Sequence, residues 1–482
     1  MRFRLLSLFL LPPLAGCALG PRVPVPDTHT PAAFEAPSDV TQAGVPLERW
    51  WGVYNDPQLQ SLVDEALKNA PDARTARAKL DEALAVRSEA LDAYNPQGAL
   101  QGSATEVDTG TIGKAPVLNL GPLGQIPLTN SGASNQEALN FDVSWEIDLF
   151  GRRETTRRKA NADLAAARFD YEATRTSLAA NVADQLFQAR GLAIQLADAQ
   201  EEARIERELA RVARAKADHG LGAASDADEA DSELAQSDAQ VKDLESQLHA
   251  ARRTLLVLVG KGVDPLASLP AAAEAGTPPM VPLTVPGELL ARRPDVREAS
   301  AELRSATGEL KLDELALFPK FTLTPGVGLT SAPEFGTNLV TDAWSIGIGL
   351  AQPILDMPRL KSEIRAQSAR ADQAVIAYEK AVQTAYGESE NALVKLSSDE
   401  ARVTLLTKGE VEARRAYDAS RTRYGAGIDD LTAVLTAERT WQTARAALTS
   451  AQVAALTSSV TAFKALGGGW DPAAPGEEQA SR

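Results

Sequence analysis

Phe141-Asp142-Val143-Ser144-Trp145-Glu146-Ile147-Asp148-Leu149-Phe150-Gly151-Arg152 is the stretch on which the reading of the fold turns. Phe141, Val143, Trp145, Ile147 and Leu149 alternate with Asp142, Ser144, Glu146 and Asp148. A period of two puts the apolar set on one face of a strand and the acids on the other. Two later segments are built the same way. Phe321, Leu323, Val327 and Leu329 alternate with Thr322, Thr324, Gly326 and Gly328, and Trp344, Ile346, Ile348 and Leu350 with Ser345, Gly347, Gly349 and Ala351. A weaker strand is predicted at about 98–107. Four strands set between long helices have no second sheet to cover their apolar faces, which argues against a sandwich. A transmembrane barrel begins at about eight strands, so four cannot close alone. Three copies would supply twelve, so the reading requires the chain to oligomerise.

The flanking helices are unusually long. The helical pattern over 152–218 would run about 100 Å at 1.5 Å per residue. Leu178, Val182, Leu186, Ala189, Ala193 and Leu196 follow at spacings of 4, 4, 3, 4 and 3, a coiled-coil seam. The chain is also written twice. Pro71-Asp72-x-Arg74 recurs as Pro294-Asp295-x-Arg297 and Pro96 as Pro319, both displaced by 223, whereas Gly220-x-Gly222 recurs as Gly425-x-Gly427, displaced by 205. The lost 18 residues equal the difference between a loop read at 108–138 (31 residues) and its shorter counterpart at 331–343 (13 residues). Each half then carries an opening helix (57–92, 286–316), two strands, a very long helix (152–218, 358–423), a glycine turn and a closing helix (226–259, 430–466). Proline clusters mark linkers at 21–46 and 260–287.

Composition narrows the function. Acidic residues outnumber basic ones by 65 to 49 for a net charge of −16, which argues against a nucleic-acid partner. One cysteine and three histidines (His29, His219, His249) leave no disulfide or thiolate zinc site. Past the N-terminus no run approaches 18 apolar residues, so a helical membrane span is excluded while a barrel is not. Asp108–Lys114 lacks Walker A spacing, with Ala115 in place of Ser or Thr, and Gly220-x-Gly222-x-x-Ser225 follows a helix, not a strand. Acidic pairs such as Glu201-Glu202 read as solvated helix face. No nucleophile–base set is present, so no enzyme, metal or cofactor is expected.

Residues 1–16 read as a signal peptide: Arg2 and Arg4, an apolar run from Leu5 to Leu11, then small residues. Leu14-Ala15-Gly16-Cys17 resembles a bacterial lipobox, which implies diacylglycerol and an N-acyl chain such as palmitate on Cys17. Ala18, where Asp would signal retention, implies the outer membrane. Loss of Arg2 and Arg4 leaves 47 bases against 65 acids, a net charge of −18.

A family resemblance now rests on specific residues over about 48–470. They are Trp50-Trp51 with Asn55-Asp56-Pro57-x-Leu59-x-x-Leu62-Val63; Trp145-Glu146-Ile147-Asp148-Leu149-Phe150-Gly151-Arg152; Leu290-x-x-Arg293-Pro294-Asp295-Val296-Arg297; Phe318-Pro319; and Phe463 through Trp470. The chain resembles the outer membrane factors, the TolC-like and OprM-like exit ducts of Gram-negative bacteria, and the lipobox suggests the lipoprotein branch. The resemblance implies a mainly α chain with a membrane β-barrel: four strands per chain in a 12-stranded barrel of a homotrimer, continued by a long periplasmic α-helical barrel. It implies a periplasmic adaptor protein and an inner-membrane RND-type pump as partners, outer-membrane localisation, and passive efflux of small toxic compounds or drugs. The domain reading is signal peptide 1–16, lipidated extended segment 17–47, first repeat 48–259, linker 260–287, second repeat 288–466 and tail 467–482. An exit duct for an ABC-driven secretion system, or a non-channel coiled-coil lipoprotein, stay as alternatives.

The glycine turns at 220–226 and 425–430 would lie at the periplasmic tip, with Gly220, Gly222, Gly425 and Gly427 candidates for adaptor docking. Asp429 and Asp430 open a helix, where one would cap it, and a trimer would present such acids as a ring that attracts cations. By match to the family, Tyr424 would latch to Asp226, with Ser225 beside it. Thr436 replaces an acid that many members carry, leaving a second acidic ring in question.

Overall fold

A computed structural model describes residues 23–109, 117–127, 132–270, 272–334 and 337–471. The signal peptide and Cys17 lie outside the described residues. The principal elements are α1 (Pro57–Asn69), α2 (Pro71–Asp92), β1 (Gln97–Thr109), β2 (Gly132–Ile147), α3 (Arg152–Asp218), α4 (Ala224–Leu258), α5 (Pro294–Leu315), β3 (Lys320–Glu334), β4 (Thr337–Ala351), α6 (Met357–Gly425) and α7 (Leu431–Ala465). They divide into two compact units, one of 1–25, 86–161 and 304–375, the other of 26–85, 162–303 and 376–482.

The opening helix of each half is broken where a single helix was expected. Ala70 (ψ 140°) and Arg293 (ψ 122°) turn extended just before Pro71 and Pro294. Each proline lacks an N–H and crowds the residue before it, so the helix must restart. Asp56 caps α1, accepting from the backbone N–H of Gln58 and Leu59 at 3.0 and 3.1 Å, and its carboxylate also pairs with Arg190.

In the first unit the strands form one antiparallel sheet in the order β1-β2-β3-β4. They are longer than the sequence suggested. β1 and β2 stay paired to Thr109↔Gly132, and β3 and β4 to Glu334↔Thr337, so most of the segment expected as a 331–343 loop is strand. Gly, Thr and Asn read as loop residues, yet the pairing register carries them along. Pro325 interrupts the β2–β3 ladder, which lapses between Asp142↔Gly326 and Trp145↔Leu323 because proline has no donor.

Register places Leu100 opposite Phe141, Phe141 opposite Val327 and Val327 opposite Trp344, an apolar row across the whole sheet. All four are exposed, Trp344 by 80%. On the other face, Gly326, Gly328 and Gly347 make room for the polar side chains of Asp142, Asn140 and Thr324. β1 and β4 have no strand partner on their outer edges among the described residues.

The junction from β2 into α3 explains the stretch that opened the sequence. Asp148 accepts the N–H groups of Phe150, Gly151, Arg152 and Arg153 at 2.8–3.2 Å, while Gly151 takes φ +82°. The buried Arg152 guanidinium pairs with Glu146 at 3.2 Å and donates to the carbonyls of Leu315 and Phe318 at 2.7 and 2.9 Å. One arginine therefore ties strand, helix and the second half's β3 entry together.

In the second unit Trp50 stacks on Phe463 with ring centroids 5.7 Å apart, and Tyr54 donates to or accepts from Ser459 at 2.5 Å. The proline-rich segments are packed here and do not behave as free linkers. Thr41–Gln42 pairs in parallel with Val281–Pro282, with Val40 and Val281 buried. Nor is the start of the tail free. Trp470 is buried and donates to the Arg292 carbonyl at 2.9 Å, and Gly467, at φ +78°, lies so close to the Arg292 backbone that a Cβ would sit 2.9 Å from its carbonyl carbon. Among the described residues Thr432–Ala465 is one helix long and apolar enough to cross a membrane, but half of its most apolar window is buried and it carries Phe463 of the core. It is a core helix, alanine-rich because its neighbours approach closely.

Candidate functional site

Both glycine turns reverse a helix by the same device, with different glycines. Gly220 adopts φ +71° after α3, and Leu221 N–H returns to the Lys216 carbonyl at 2.8 Å. Gly427 adopts φ +74° after α6, and Ile428 N–H returns to the Arg423 carbonyl at 2.9 Å. These are left-handed helix terminations that only glycine makes without strain. Gly222 and Gly425 are free of that requirement. The repeat alignment, which matched Gly220 to Gly425 and Gly222 to Gly427, thus pairs glycines with different roles. Leu221 and Ile428 stand exposed beside the turns.

The two hairpins meet on small residues. Ala210, Ala213, Ala227, Ala230 and Leu435 are buried together, with Tyr424 packed against them. Within the protomer Tyr424 is held by Lys216 and not by Asp226: Nζ donates to the phenol oxygen at 3.1 Å and lies 4.5 Å from the ring centroid. Asp226 sits exposed in the first turn of α4, receiving only the Ser225 hydroxyl at 3.4 Å. Lysine wins because its four-carbon stem spans the gap that a short aspartate at a helix start does not.

The two consecutive acids divide their tasks. Asp430 is the cap of α7, accepting from Ala433 N–H at 2.8 Å. Asp429 is not a free carboxylate. Arg423 donates to it at 2.5 and 3.1 Å, Ser420 lies at 3.4 Å, and its side chain is only 9% exposed. Arg423 folds back across the turn, so Asp429 is ion-paired within the protomer, while Asp430 stays exposed. Thr436 donates to the Thr432 carbonyl at 2.7 Å and contributes no charge.

A second group of acids, about three to five turns from the glycines, escaped the sequence reading. Glu201 is indeed a surface residue paired with Arg204 at 2.6 Å, but Glu202 is half-buried and burial raises its carboxyl. Glu206 is 6% exposed and pushed up to about 7 by burial and then by Glu233 and Glu202. Glu438 is 1% exposed and pushed up to about 8 by burial, then by Glu206 and Glu202. Arg439 pairs with Glu233, and Arg445 with Asp198 at 2.5 Å. Trp441 stacks on Tyr417 at 5.2 Å and donates to Glu410 at 2.8 Å. The signal was present in the sequence: Glu202 and Glu206 are four residues apart on one helical face, in line with the Ala199, Ala203 and Ala210 seam. Among the described residues no group of three or more His, Cys, Asp or Glu side chains has the geometry to hold a metal ion.

The profile of the family described as Outer membrane efflux protein matches residues 62–261 and 285–468. The pyoverdine export outer membrane protein OpmQ of Pseudomonas aeruginosa is 28% identical over 428 residues, covering 88% of each chain. The toluene efflux pump outer membrane protein TtgC of Pseudomonas putida is 28% identical over 477 residues, 95% of this chain and 93% of that one. The outer-membrane channel OprN superposes with a TM-score of 0.78 at 28% identity, over 94% of this chain and all of that chain. The CmeC channel of Campylobacter jejuni shares the fold, with a TM-score of 0.84 at 21% identity and coverage of 96% and 98%.

Proposed function

The chain belongs to the outer membrane efflux protein family, and on that premise we propose that it forms, as a homotrimer, the passive exit duct of a tripartite pump. It is an outer-membrane efflux channel and not an enzyme. The observation that carries the reading is the apolar row Leu100–Phe141–Val327–Trp344, exposed on one face of a four-stranded sheet whose outer edges are unpaired. Such a face is stable against lipid, and such edges are satisfied by neighbouring copies; three times four strands is twelve. The non-channel rod explains neither feature.

Cargo is a small toxic compound or drug, a reading supported by relatives named for pyoverdine export and toluene efflux. A periplasmic adaptor docks on the turns at Gly220, Gly222, Gly425 and Gly427, with exposed Leu221 and Ile428 as apolar contacts. An inner-membrane pump of the proton-driven RND type supplies the energy. Lipid on Cys17 anchors the N-terminus. The gate is the joint between hairpins: Lys216–Tyr424 links them, Arg423–Asp429 stiffens the second turn, and Asp226 and Ser225 stay exposed beside the first. Opening requires the hairpins to part.

Reconstitution into planar bilayers tests this. The expected result is a trimer by mass photometry with discrete conductance that rises in Lys216→Ala. A monomeric protein, or bilayers without conductance steps for wild type and variant alike, would refute it.

A further inference from the structure

α3, α4 and α7 line a half-open cavity of about 300 Å³ bordered by Glu202, Glu206, Glu233, Ser237 and Arg439, with glutamines around them. Two polar side chains in this wall are more than nine-tenths buried and lack partners: Oε2 of Glu206 and Oγ of Ser237. Behind the wall, neither carboxylate oxygen of Glu438 has a hydrogen-bond partner. A buried polar atom without a partner is destabilising, and a buried charge without one more so.

The charges do not balance. From α3 and α4 come Glu202, Glu206, Glu233 and Asp198, and from α7 comes Glu438. α6 adds Glu410 and the Tyr417 phenol. Against them stand Arg439, committed to Glu233; Arg445, committed to Asp198; and Arg421, which acts on Glu438 from an exposed position. Among the described residues neither Glu202 nor Glu206 has an ion pair of its own, and Arg439, which also acts on Glu206, is paired with Glu233. A bare metal ion does not fit, because it needs several carboxylates converging at about 2.0–2.6 Å, a geometry absent among the described residues. An ammonium group does fit: it carries one positive charge and three N–H donors, which suit acceptors spread along a wall.

We propose that this cavity is a binding site for an organic ammonium ion, an alkylamine or diamine, held by the Glu202 and Glu206 carboxylates and the Ser237 hydroxyl. The site lies in the wall of one protomer, apart from the glycine turns. It does not depend on the duct reading, since binding is measured without transport. Protons compete for the same oxygens. With the Glu206 carboxyl at about 7, its ionised fraction falls roughly tenfold between pH 8 and pH 6, and affinity falls with it.

Isothermal titration of the full-length protein in detergent with 1,4-diaminobutane, in an amine-free buffer, is the test. Saturable binding at pH 8 is expected, about tenfold weaker at pH 6 and at least tenfold weaker in Glu206→Gln. Glu201→Gln, on the exposed neighbour, should bind as wild type. Glu206→Gln keeps the side-chain shape; should it misfold by circular dichroism, Ser237→Leu, which fills the cavity, must abolish binding instead. Absence of saturable heat at pH 8, unchanged binding in the folded variant, or displacement of the diamine by equimolar magnesium chloride would each overturn the assignment.

Discussion

Glu438→Gln should stabilise the helical unit, and by an amount that depends on pH. The wild-type carboxyl is 1% exposed with both oxygens unpartnered, and burial with the neighbouring charges of Glu206 and Glu202 moves it from 4.5 to about 8. The folded chain therefore holds a proton on Glu438 that the unfolded chain releases. The sign follows directly: stability is full below about pH 4.5 and declines as pH rises, until it levels off above about 8. At about 1.4 kcal/mol per pH unit the total loss is on the order of 5 kcal/mol, shared with Glu206 because the two carboxyls repel each other. Glutamine fits the same space without a proton to lose. At pH 5 the variant and wild type should melt within a degree or two of each other; by pH 8 the variant should melt several degrees higher. Differential scanning fluorimetry across pH 5–9, in detergent and free of amines, measures this. Parallel pH profiles for the two proteins would refute the claim that Glu438 is buried without a partner.

Trp344→Arg places a charge midway along β4, at the end of the apolar row, and should destabilise the barrel by about 2–4 kcal/mol, seen as loss of the heat-resistant trimer band on gels. Arg152→Ala strips the pairing from Glu146 and from two carbonyls; a loss of roughly 3–5 kcal/mol is expected, read as a lower urea midpoint for unfolding from vesicles. Arg423→Ala frees Asp429, so the zero-current potential across a salt gradient should shift toward stronger cation preference, whereas Asp429→Ala leaves the Arg423 guanidinium uncompensated and should shift it the opposite way. Asp430→Ala removes a helix cap worth about 1 kcal/mol and should lower the melting temperature without altering selectivity.

The alternation of Phe141 through Leu149, the 67-residue helical pattern and the two written-out halves were legible because period and spacing are local properties of a chain. The break at Pro71 was equally local, and reading through it undervalued a missing N–H. Side-chain partnership was the part that pattern could not supply. Tyr424 lies two residues before Ala426 in one turn and more than two hundred residues from Lys216, and only the packing of Ala210, Ala213, Ala227 and Ala230 brings the two within hydrogen-bond reach.

By itself, then, the sequence determined that this chain alternates four strands with very long helices, repeats that plan once, and must associate to close a barrel. Register decided that Leu100, Phe141, Val327 and Trp344 form one row, because each strand's neighbours are set by pairing and not by order. Tertiary packing decided what each acid does. Asp429, Asp430, Glu201, Glu202 and Glu438 are the same kind of group in the sequence, yet one is paired with Arg423, one caps a helix, one is a surface ion pair, one is half-buried and one is buried. A carboxylate's role follows from its solvation and its partners, and both are properties of the folded chain.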